Sequence, residues 1–187
     1  MVHNPYRMTQ ALFIILLLHI TGAPDLARIQ SRVNDVAPIL LEESQKLDLD
    51  PVLAGAILFR ESGFNHSLTG ARGEIGIGQI LPTGIARKVC KPMLTKLHNI
   101  RENIQCSLLI QNWARNHCGG APNNWIRSYN ASGACGDSRY TRRILKTYGI
   151  VKALIPPPVV WDEGQDWREI DYPQCKVREH TQSRCGR

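Results

Sequence analysis

The sequence predicts a mainly α-helical fold. Apolar residues recur three and four positions apart in several separate segments, as on one face of a helix. No segment carries a long run of the two-residue alternation that a half-buried strand requires. Between the helical segments lies a stretch dense in glycine, Gly70, Gly73, Gly76 and Gly78, which reads as loop or short irregular strand. The expected architecture is one domain of about five or six helices around that irregular segment, followed by a C-terminal extension. At 187 residues the chain is long enough to bury a real core. Its 43% hydrophobic and 21% charged residues exclude a wholly disordered chain.

The elements follow in order. Residues 1–23 read as a secretory signal peptide: Arg7 gives a positive start, "ALFIILLLHI" an uncharged apolar run, and Thr21, Gly22 and Ala23 the small residues of a cleavage site. The run is shorter than the roughly 20 apolar residues of a membrane span, so the alternative of an uncleaved N-terminal anchor is the weaker one. Residues 24–150 form the expected folded domain. Within it, 29–47 is an amphipathic helix with Ile29, Val33, Val36, Ile39, Leu40 and Leu47 inward, and Pro38 is expected to kink or divide it. Asp50 is an N-cap with Pro51 at the first helical position, and Gly63 ends the helix they open. Pro82 and Thr83 open a helix that ends near Cys90. Residues 100–117 form a strong helix with Ile104, Leu108, Leu109 and Trp113 mainly on one face. Residues 125–131 read as a short helix. Asp137 or Ser138 caps a last one, with Tyr140, Ile144, Leu145 and Tyr148 inward and Gly149 as its end. Residues 151–187 are the extension: Pro156, Pro157 and Pro158 form a stiff break, then an acidic aromatic stretch precedes a mostly basic one.

Six cysteines remain after the signal: Cys90, Cys106, Cys118, Cys135, Cys175 and Cys185. An even number in an exported chain predicts three disulfides. Pairing of nearest neighbours gives Cys90–Cys106, Cys118–Cys135 and Cys175–Cys185, one choice among the 15 that six cysteines allow. Zinc is the rival use, since His117 and His180 lie near cysteines, but the chain has no C-x-x-C pair. The net charge of +7 favours anionic partners such as a cell wall or membrane surface. Export makes nucleic acid the weakest of them.

One residue resists a purely structural reading. Leu53, Ile57 and Glu61 are spaced by four, so Glu61 shares the apolar face of its helix. It also sits in the last turn, beside the negative end of the helix dipole. Burial and dipole both raise a carboxyl pKa, which suits a general acid near neutral pH. A structural ion pair with Arg60 or Arg72 is the alternative.

Glu61-Ser62, then "GARGEIGIGQI", then "SYN" at 128–130 stand in order within this one domain. The combination resembles the lytic transglycosylase branch of the lysozyme superfamily, which takes in soluble lytic transglycosylase-like and goose-type lysozyme domains. The family's Gly-Leu-Met-Gln segment is matched by Gly76-Ile77-Gly78-Gln79, and its Ala-Tyr-Asn by Ser128-Tyr129-Asn130. "DPVLAGAILFRESGFN" and "NIRENIQCSLLIQ" look like the helices around these motifs, so the resemblance covers about residues 33–149.

The resemblance implies a lysozyme-like fold and cleavage of the bond between N-acetylmuramic acid and N-acetylglucosamine in peptidoglycan, with a 1,6-anhydro product. It implies Glu61 as the lone acid and base, with Ser62, Gln79, Tyr129 and Asn130 in the substrate site and Tyr129 bonded to Glu61 or lining its pocket. It implies no cofactor and no metal. Glu74 departs from the family's segment and is a candidate second acid, or a solvated loop residue. Small enzymes of this kind resemble those serving conjugation or secretion machines, which makes such an apparatus an expected partner beside the glycan strand. A hydrolytic lysozyme and a non-catalytic peptidoglycan-binding protein are the alternatives.

Overall fold

The structure is a computed structural model, and it describes residues 26–154. The signal segment, most of the extension and the Cys175–Cys185 pair lie outside the described residues. Among the described residues are six α-helices and one 3-10 helix, with no strand longer than an isolated bridge. The helical class read from the sequence is the one observed.

Helix α1, Leu26–Lys46, is unbroken; Pro38 lies inside it and does not divide it. Pro38 is exposed, while Val36, Ala37, Leu40 and Leu41 around it are buried. That packing outweighs the backbone bond the proline removes. Helix α2, Pro51–Ser62, runs through the core with Leu53, Ala54, Ala56, Ile57 and Leu58 buried. Its ends are fixed as expected. Asp50 accepts from the Val52 and Leu53 amides, and Gly63 takes the left-handed conformation at φ 59°. Arg32 of α1 donates to the Gly63 carbonyl at 3.2 Å, which satisfies that terminus.

Helix α3, Gly84–Val89, is followed by a 3-10 helix, Lys91–Lys96, that the sequence did not announce. Helix α4, Ile100–Cys118, is the long element to which the site is anchored. Its buried face is partly polar: Asn103, Ser107 and Gln111, spaced by four, are each 1% exposed or less. Helix α5 is Pro122–Asn130 and opens three residues earlier than the periodicity indicated, since Pro122 suits a first helical position. Helix α6, Arg139–Leu154, is capped by the Ser138 hydroxyl, which accepts from the Thr141 amide at 3.0 Å.

Gly149 does not end α6. The helix continues to Leu154, and Val151 is fully buried, seven positions after buried Ile144. A glycine inside a helix costs about 1 kcal/mol, less than a buried valine contributes.

Two disulfides pair nearest neighbours, Cys90–Cys106 and Cys118–Cys135, with Cα atoms 5.3 and 5.5 Å apart. Both bridges hold α4, one to the end of α3 and one to the loop after α5.

Candidate active site

Glu61 reaches the site because α2 ends there. One turn past Ile57 the core face of the helix opens onto a cleft of about 430 Å³. The cleft is lined by Glu61, Glu74, Gln79, Ser128, Tyr129 and Asn130, among others. Five of the six residues expected in the site therefore meet in one place. Ser62 does not line the cleft. Its hydroxyl donates to the Ile77 carbonyl at 2.7 Å and accepts from the Asn65 amide at 3.1 Å, so it ties the helix end to the glycine-rich segment.

Asn103 holds that segment from below. Its amide donates to the carbonyls of Ile75 and Leu97 at 2.9 and 2.8 Å and accepts from the Gly78 amide at 2.8 Å. These bonds draw the chain so close to α4 that a Cβ on Gly78 would lie 1.8 Å from the Ser107 hydroxyl. Tyr129 closes the other side by donating to the Gly78 carbonyl at 2.7 Å. Gln79 sits at φ 46° and donates to the carbonyls of Gly76 and Leu68 at 2.9 and 3.3 Å. Its donors thus shape the loop, and its carbonyl oxygen is the atom left for a ligand.

The hydrogen bond expected of Tyr129 is made by a different tyrosine. The Tyr140 hydroxyl of α6 donates to Glu61 Oε1. The inward spacing of Tyr140 was legible, but its partner lies 79 positions away and no local signal links the two. Burial raises the Glu61 pKa, and the charge of Glu74 adds to the rise; the Tyr140 bond and the Arg60 charge oppose it. Burial and then the Glu61 charge raise both Tyr140 and Tyr129, so each phenol keeps its proton.

Arg72 pairs with Glu74, not with Glu61. Glu74 accepts from the Arg72 amide at 2.9 Å and from its guanidinium at 2.7 Å. Backbone hydrogen bonds, its own first, and then the arginine hold its carboxyl below the ordinary range. The cleft thus presents two carboxyls in opposite states, one inclined to keep a proton and one ionised. Ser128 is 2% exposed, and its hydroxyl has no hydrogen-bond partner among the described residues.

The cleft residues all lie within a stretch that matches a known family. Residues 39–148, more than half the chain, match the Transglycosylase SLT domain. The chain belongs to that family. No curated protein and no solved structure matches it. Membership gives the chain a peptidoglycan-cleaving function of the transglycosylase type and places its work outside the cytoplasm, where peptidoglycan lies. No helix among the described residues is long and apolar enough to cross a membrane.

Among the described residues the zinc reading has one remaining cluster. His117, Cys118 and Cys135 bring ligand atoms within 4.8 Å of one another. The two sulfurs are joined to each other, though, and a disulfide offers no thiolate to a metal. His117 instead stacks on Trp113 with ring centres 4.7 Å apart.

Proposed function

We propose that this protein is a lytic transglycosylase that cleaves the β-1,4 bond between N-acetylmuramic acid and N-acetylglucosamine and leaves a 1,6-anhydro end. The observation that carries the reading is Glu61, a half-buried carboxyl at the head of the cleft whose pKa is raised by burial and whose Oε1 accepts from Tyr140. Glu61 donates its proton to the glycosidic oxygen as the C1–O bond breaks. The substrate's own 2-acetamido oxygen bonds to C1 in its place. The 6-hydroxyl of the same sugar then attacks C1 and displaces the acetamido oxygen, and the Glu61 carboxylate takes the hydroxyl proton. Attack from within one ring supplies the proximity that a water would need help to achieve. Gln79 Oε1 and Asn130 are the groups available to the sugar amides.

Hydrolysis is the second reading, and Glu74 favours it. An ionised carboxylate in the same cleft is what a water-activating base requires. We assign 1–23 as the export signal and the chain after Leu154 as an extension outside catalysis, since Val151 packs in the core of the domain. We assign the role of the enzyme as local opening of the wall for an envelope-spanning secretion or conjugation machine.

Muropeptides released by the wild type and by Glu61→Gln decide among these readings. The wild type is expected to yield anhydro ends, and the variant to remain folded and release nothing. Reducing ends would replace transglycosylation by hydrolysis. Release by the variant at the wild-type rate would remove Glu61 from the chemistry.

A further inference from the structure

A second groove of about 350 Å³ lies between α2 and α6, and no residue of the catalytic cleft lines it. Its floor is apolar: Ala56 and Phe59 from α2, Ile144 and Ile150 from α6. Its rim is cationic: Arg60, Arg143 and Lys146, all exposed. No acidic residue lines it, and none of the three cations has an ion-pair partner among the described residues. Elsewhere Glu42, Glu43, Asp50, Glu74 and Asp137 each hold a cation close by.

We propose that this groove docks an acidic peptide segment of a protein partner, one that seats an apolar side chain on the floor between carboxylates reaching the rim. Charge complementarity selects an anion, since three exposed cations rim a lining that has no acidic side chain among the described residues. Shape and lining select a peptide. The groove has room for a few side chains. A glycan needs several neutral hydrogen-bonding groups, and among the described residues of the lining Thr147 is the one such side chain. A lipid surface meets a flat or protruding face, and here the apolar atoms are recessed below the charges. An apolar pocket ringed by charge is the usual form of a peptide anchor site.

The test uses the full disulfide-bonded chain and fluorescence anisotropy. The probe is a labelled synthetic peptide alternating glutamate with leucine and phenylalanine, beside the same peptide with glutamine for glutamate. Binding of the acidic peptide alone, weakening with salt and falling about tenfold or more in Arg143→Glu/Lys146→Glu, is the expected result. Both substituted residues are exposed, and circular dichroism checks that the fold is retained. Equal binding of the two peptides, or unchanged binding in the variant, would overturn the proposal. So would phosphatidylglycerol vesicles or muropeptides binding through the same residues while the peptide does not. Glu61→Gln gives the same binding result whether or not the enzyme is a transglycosylase, so the docking site is judged separately from the chemistry.

Discussion

Glu61 shows how one side chain acquires its chemistry. Spacing by four from Leu53 and Ile57 puts it on the buried face, and that much is legible in the sequence. Besides its neighbour Arg60, the groups that tune it come from α6 and the glycine-rich segment, and the sequence gives no sign that Tyr140 meets it. Tyr140 donates to the charged form of Glu61 and so lowers its pKa against the effect of burial. In Tyr140→Phe that donor is lost and the burial remains, so the pKa rises further. An acid catalyst is active when protonated, and its activity falls as pH rises through its pKa. The alkaline limb of the pH profile of kcat/KM should therefore move to higher pH in this variant. Loss of positioning should lower the plateau about tenfold or more. An unmoved limb would mean that Tyr140 does not donate to the carboxylate in solution.

At the scale of elements, the helix ends were the most legible part. Asp50, Gly63 and Ser138 carry capping chemistry in their own side chains or in the lack of one, so neighbours in sequence suffice to read them. Gly149 misled because a glycine signals an end only where nothing beyond it is buried, and burial of Val151 is a tertiary fact. The clamp on the glycine-rich segment was hidden for the opposite reason. Asn103, Ser107 and Gln111 form a polar stripe that in sequence looks like a solvated face, yet all three are buried. The fit of Gly78 against that stripe is testable. In Gly78→Ala the new methyl would collide with Ser107 and approach the Tyr129 hydroxyl. Overpacking of this kind costs about 1–3 kcal/mol. Ser107→Gly removes the obstacle at about 1 kcal/mol of helix propensity. Urea unfolding of both single variants and the double should give a double variant more stable than the sum of the singles. Strict additivity would show that the two residues do not meet.

At the scale of the whole molecule, α4 is cross-linked at two points, and the two bridges enclose different parts of the chain. The Cys118–Cys135 loop contains Ser128, Tyr129, Asn130 and Ser132, all in the cleft. The Cys90–Cys106 loop contains no cleft residue. Closing loops of 16 and 17 residues stabilises by about 3 kcal/mol each. Replacing either cysteine pair by serine should lower stability by a similar amount, as read from thermal unfolding. KM for peptidoglycan should rise only when Cys118–Cys135 is opened. A matching rise from Cys90–Cys106 would mean that the bridges act on the site through overall stability alone.

The order of the pairs has a consequence for biogenesis. Each described bridge joins a cysteine to the next one along the chain, with no crossing and no skipped residue. A polypeptide emerging N-terminus first through a secretion channel presents Cys90, then Cys106, then Cys118, then Cys135. An oxidase that joins each thiol to the next one to appear produces the native pattern directly. For these two bridges, maturation needs an oxidant but no isomerase.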